Sequence, residues 1–239
     1  MKSVFIEKSL GVDIREGSVF LTLVGKKLRT IEVLAGKMIT LKPLTGKDEK
    51  AEKHFLNKVN HFLIEHDTWP ESVVVSLPRS YVTFKTFELP APDLESVRSM
   101  VEFELERQFS AGLEDLYFTF QVTPKAENIF HVASAAIKKE IANYYLELVQ
   151  KLNLKTTVLD VSTFANVNLA FSQEIENDSP IWALADISPE TLDIALIKND
   201  AIEFSRSLSW AKQRRKFRKN QRPRTIGKFI RGNHQIYCR

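Results

Sequence analysis

Two aspartates, Asp13 and Asp186, each close a short apolar run just ahead of a polar turn. Leu10-Gly11-Val12-Asp13-Ile14 leads into Arg15-Glu16-Gly17 and then into a β-rich run from Val19 to Val24. Leu184-Ala185-Asp186-Ile187 leads into Ser188-Pro189-Glu190 and a run from Leu192 to Ile197. The pattern predicts a β-hairpin with a carboxylate near its tip, used twice. Facing hairpins of this kind suit the phosphates of a nucleotide. Turn amides donate to phosphate oxygens, and Mg²⁺ takes one or two carboxylates while keeping several waters. The competing reading is plain architecture, because Asp is favoured wherever strands end and turns begin.

Other chemistry-bearing residues have weaker claims. His54, His61 and His66 share one predicted helix. His54 and His61 are two turns apart, too far for a metal pair spaced by four. Ser76 stands in Val-Ser-Leu-Pro without the glycines of a nucleophile elbow. Neither a P-loop nor a dinucleotide fingerprint is present. Phe84, Phe87, Phe118 and Phe120 have Lys85 alone interleaved among them, too little for an RNA-binding surface, so burial against a sheet is expected rather than base stacking.

The elements that must position these residues alternate. Helical spacing of Phe55, Val59, Phe62 and Leu63 precedes a continuous apolar strand at Val73–Leu77. Tyr81–Leu89 reads as a strand. After it, Leu94, Val97, Met100, Val101 and Leu105 are expected to form one apolar stripe on a helix that opens at Pro92. Strands follow at Leu116–Val122 and Ile129–Ser134, and a helix through Ile137, Ile141, Tyr144, Tyr145, Leu148 and Leu152. A strand at Thr156–Leu159, a helix at Ser162–Phe171 and a strand at Ile181–Asp186 complete an α/β pattern.

With 239 residues the chain buries a large core without disulfide scaffolding, and its one cysteine is Cys238. The N-terminus lacks the apolar run of a signal peptide, and no stretch approaches membrane-helix length, so a cytoplasmic protein is expected. Charge breaks sharply near the end. Eleven of the 34 Lys and Arg, and none of the 30 Asp and Glu, fall in 211–239. The first 210 residues therefore carry 23 basic and 30 acidic side chains, a balance of −7. Such an arm can grip nucleic acid phosphates or anionic lipid, or be a disordered, solvated tail. Disorder is the expectation for 211–239.

The order of motifs resembles a known family. Val73-Val74-Val75-Ser76-Leu77-Pro78-Arg79-Ser80 is followed by Lys85-Thr86-Phe87-Glu88-Leu89-Pro90 and by Val101-Glu102-Phe103-Glu104-Leu105-Glu106. Tyr117-Phe118-Thr119-Phe120, Ala133–Ile141, Leu154–Ala165 and Ala185–Arg206 continue the series. Over roughly 10–208 the chain resembles the PilM proteins of type IV pilus assembly and the related cytoplasmic GspL domain of type II secretion, both actin-like.

The resemblance implies an actin-like, ribonuclease H-like α/β core with a small inserted α/β subdomain. Its boundaries would be 1–79 plus 156–210 for the first subdomain and 80–155 for the insertion. The second large lobe would be largely missing after the second hairpin, and 211–239 is read as a possible frameshift product. The family usually has Asp-Ile-Gly in both hairpins, whereas this chain has Asp13-Ile14-Arg15 and Asp186-Ile187-Ser188. Candidate nucleotide-binding residues are then Asp13, Arg15, Asp160, Asp186 and Ser188, with Asp13 and Asp186 as candidate Mg²⁺ ligands. Arg15 either pairs with a phosphate or fills the site. Loss of both glycines favours no cofactor, with ATP and Mg²⁺ as the alternative. The implied function is a non-catalytic assembly component. It would bind the cytoplasmic N-terminal segment of a membrane-anchored partner, with the assembly ATPase as a second partner, at the inner membrane's cytoplasmic face. No specific nucleic acid partner is expected. The alternative is an actin-like ATPase.

Overall fold

The structure is a computed structural model that describes residues 5–44, 46, 48–109, 112–172, 181–199, 201–209 and 236–238. The chain divides into two compact units, 1–81 with 137–166, and 82–136 with 167–239.

The first unit is a five-stranded sheet in the order β3-β2-β1-β4-β8. Its strands are β1 (Glu7–Ile14), β2 (Ser18–Lys26), β3 (Ile31–Thr40), β4 (Ser72–Leu77) and β8 (Thr156–Val161). β1, β2 and β3 form an antiparallel meander, and β4 and β8 add in parallel to β1. One parity is buried on the central strands: Leu10, Val12 and Ile14 on β1, beside Val73, Val75 and Leu77 on β4. The covering helices are α1 (Glu49–Glu65) and α3 (Lys139–Gln150). Asp48 caps α1, its Oδ1 accepting from the amides of Lys50 and Ala51 at 3.1 Å each. Ala51, Phe55, Val59, Phe62 and Leu63 then bury one face of the helix. On α3 the Tyr145 hydroxyl donates to the Leu44 carbonyl over 2.7 Å, and the Tyr144 hydroxyl donates to Glu52 over 2.9 Å.

The second unit holds two sheets. β5 (Thr83–Pro90), β7 (Ile129–Lys138) and β6 (Leu116–Ala126) form one, in the order β5-β7-β6. It is covered by α2 (Leu94–Gln108). Val97, Val101 and Leu105 pack there against Leu89, Leu116 and Val132, with Phe87, Phe118 and Phe120 partly buried at the margin. The expected stripe was too wide, since Leu94 and Met100 are exposed. The helix opens at Asp93, whose side chain caps the Ser96 amide at 2.7 Å, rather than at Pro92.

The other sheet contains β9 (Ile181–Ile187), β10 (Thr191–Lys198), β11 (Ala201–Ser209) and β12 (Ile236–Cys238), in the order β11-β10-β9-β12. It follows the order and directions of β3-β2-β1-β4, down to a fourth strand parallel to the first. α4 (Ser162–Ser172) precedes it in the chain, and Val167 packs with Leu184, Ala195 and Ile197.

Two boundaries differ from the sequence reading. The insertion is narrower than 80–155, because α3 and its tyrosines pack in the first unit. The second hairpin builds its own sheet instead of joining 1–79, since its apolar residues pair with one another. The expected unstructured tail lies outside the described residues except at Ile236–Cys238, which line β9's otherwise open edge.

Candidate functional site

Three strand ends of the first unit repeat a short pattern: Val12-Asp13-Ile14 on β1, Val75-Ser76-Leu77 on β4 and Leu159-Asp160-Val161 on β8. Register aligns their polar members. Asp13 lies beside Ser76, and Ser76 beside Asp160. The polar residues therefore form one row on the face opposite the helix-covered core, at the carboxyl ends of the parallel strands. Asp13 and Asp160 are two strand spacings apart, about 10 Å between backbones. In open α/β sheets, ligands gather at this end. Asp160 is the last but one residue of β8 itself, not part of a linker that follows the strand.

Arg15 extends this row from the hairpin turn. Its Nε donates to Asp13 Oδ2 over 2.9 Å, and its guanidinium lies over the Phe20 ring, 5.3 Å from the centroid. Phe20 is Asp13's cross-strand partner on β2, so both contacts come from one side-chain placement. Asp160 has a different environment. Burial pushes its carboxyl above the ordinary carboxylate value, opposed by the Val161 amide donating to its Oδ1 over 2.7 Å.

The second hairpin belongs to the second unit. Asp186 is buried on β9, directly opposite a second buried aspartate, Asp193, on β10. At the tip, the Ser188 amide donates to the Thr191 carbonyl over 2.9 Å. Ser188 Oγ accepts from the amides of Glu190 (3.2 Å) and Thr191 (2.9 Å). Pro189 has no amide hydrogen. Every N–H from Ser188 to Thr191 is thus used inside the turn. A turn closed on its own serine presents no donor row to a phosphate.

Asp13, Arg15 and Asp160 are therefore brought together, while Asp186 and Ser188 sit in the other unit. Sequence reasoning missed Ser76 as the middle of the row and Asp193 as the neighbour of Asp186. The repeated apolar–polar–apolar strand ends signal the first, and Leu192-Asp193-Ile194 the second. Among the described residues, no group of three or more His, Cys, Asp or Glu is arranged to hold a metal ion.

No curated protein matches the chain. Among solved structures, it is similar to a chain of a PilM-PilN type IV pilus biogenesis complex. The identity is 22% and the TM-score 0.72, over 86% of this chain and 62% of that one. It is also similar to the cytoplasmic domain of EpsL, an inner membrane component of the Vibrio cholerae type II secretion system. There the identity is 14% and the TM-score 0.55, over 86% and 74% of the two chains. The chain thus spans 62% of the length of the PilM relative. Both relatives share with this chain the mixed α/β fold that the sequence led us to expect. The family described as type IV pilus assembly protein PilM matches residues 11–214, most of the 239, and the chain belongs to that family.

Proposed function

We propose that this chain is a non-catalytic assembly component of a type IV pilus or type II secretion machine, one that binds a membrane-anchored partner. Family membership supports the assembly role, and the similar PilM chain comes from a complex with PilN. We infer a PilN-like partner engaged through its cytoplasmic N-terminal segment, at the cytoplasmic face of the inner membrane. No helix among the described residues is long and apolar enough to cross a membrane itself. Contact with the assembly ATPase would be secondary to that engagement.

The observation that carries the non-catalytic reading is the state of the two hairpins. Mg²⁺ would have to displace the Arg15 guanidinium to reach Asp13, and phosphate would have to break the Ser188 turn. The donor set present does not fit a Mg²⁺–nucleotide. The rival reading, an actin-like ATPase, rests on fold alone.

Two measurements separate them. Calorimetry with ATP and Mg²⁺ should show no stoichiometric heat. A peptide copying the cytoplasmic segment of a PilN-like partner should bind at micromolar concentration. Tight ATP binding together with failure of the peptide would reverse the assignment.

A further inference from the structure

The end of the first sheet farthest from Asp13 has its own character. β2 and β3 are joined by a tight turn in which the Lys27 amide donates to the Thr30 carbonyl over 2.8 Å. Leu28 and Arg29 are its central residues. Such positions ordinarily take Asn, Asp or Gly, yet Leu28 stands there 89% exposed. The same end carries Ile31 (72% exposed) at the start of β3, Ile6 (64%) just before β1 and Trp69 (55%) in the loop before β4. Register confirms the shared end. Lys26 pairs with both Glu7 and Ile31, and Ser9 pairs with Ser72. Across four strands this end is about 15 Å wide.

The turn is held in place. The Phe5 ring lies across Gly25 so closely that any Cβ there would sit 2.5 Å from it. Lys27 Nζ lies over that ring, 5.2 Å from its centroid, and also pairs with Glu32. Of the carboxylates at this end, Glu32 is engaged by Lys27, Glu71 accepts from the Lys8 amide over 2.7 Å, and Glu7 lies opposite Lys26. Lys26 and Arg29 flank Leu28 and are exposed.

We propose that this end is a contact site for an anionic bilayer surface. Leu28, Ile31 and Ile6 would enter the headgroup–acyl boundary, Trp69 would sit at headgroup depth, and Lys26 and Arg29 would face lipid phosphates. A turn tip bearing spaced apolar side chains between cations suits a deformable interface. A protein partner would need a complementary patch of about 1,000 Å² or more. Apolar insertion plus cationic attraction is how proteins bind at membrane surfaces without crossing them. The contact would be direct and would not require the membrane-anchored partner.

The test uses the full chain with two kinds of vesicle, phosphatidylethanolamine–phosphatidylglycerol and pure phosphatidylcholine. The basic 211–239 segment can adsorb to anionic lipid unaided, so the deciding signal is Trp69 fluorescence with brominated acyl chains. Wild type should bind the anionic vesicles and be quenched, and W69F should lose that quenching while Trp182 and Trp210 remain. L28D should lower partitioning by about tenfold, the scale of one apolar anchor, and K26E/R29E by about thirtyfold or more, because two surface cations at about 1 kcal/mol each are lost. Circular dichroism melts should match wild type, because the substituted side chains are exposed. The proposal is overturned if quenching survives in W69F. It is equally overturned if L28D and K26E/R29E partition like wild type, which would mean adsorption through the tail or another surface.

Discussion

Arg15 and Asp13, two residues apart, are joined across the mouth of the first hairpin by a 2.9 Å bond from Nε to Oδ2. The position two residues after Asp13 thus carries a cation folded onto the carboxylate. The site has become self-neutralised, and the same guanidinium is anchored over Phe20.

In the first hairpin Asp13 is already engaged by Arg15, so the wild-type chain should give no heat with ATP–Mg²⁺ in calorimetry. Clear stoichiometric heat from wild type would contradict this account of the hairpin.

Ser188 has a structural duty that stability can report. S188A removes the acceptor for the Glu190 and Thr191 amides and should cost about 1 kcal/mol in urea denaturation, the usual scale for a turn or cap hydrogen bond. S188G should cost a similar amount, because the lost oxygen is what matters.

Asp160 predicts a pH dependence. Its folded value is raised above the unfolded 3.8 by burial, so the folded state holds the proton more tightly. Stability should fall as pH rises from about the unfolded value through the folded one, and then level off. D160N keeps an oxygen for the Val161 amide and carries no charge. It should be more stable than wild type at neutral pH and about equal to it below the unfolded value. Parallel pH–stability curves for the two proteins would refute the assignment.

Tyr145 ties α3 to the loop after β3. Y145F leaves the Leu44 carbonyl without its 2.7 Å donor in a buried setting and should cost about 1–3 kcal/mol. Y144F should cost less, since its partner Glu52 also receives Lys151. Burial and Glu52 push the Tyr144 hydroxyl up to about 12, so it should not ionise in a spectroscopic titration up to pH 10.

Much of this fold was legible because its signals are local. The α1 stripe of Phe55, Val59, Phe62 and Leu63 and the run Val73–Leu77 each carry their own periodicity, and both elements form where expected. Leu94 and Met100 were misread because helical spacing shows which residues share a face but not how wide a face the sheet can cover. The row Asp13–Ser76–Asp160 was hidden for a different reason. Its members lie 63 and 84 residues apart, and only register between parallel strands aligns them. The role of Ser188 depends on turn hydrogen bonds, which a glycine-to-serine difference suggests but does not specify. The position of α3 followed from tyrosine contacts with Leu44 and Glu52, about a hundred residues upstream, beyond any local pattern.

Thr83 pairs with Ala136, so the segment between them departs and returns through neighbouring strands. Its two ends are about 5 Å apart, and a short linker could join them at little entropic cost. Such a module can be swapped, enlarged or lost by a single recombination event without rethreading the sheet that precedes it. A change of length or sequence within 82–136 would therefore leave the strand order of the first sheet untouched.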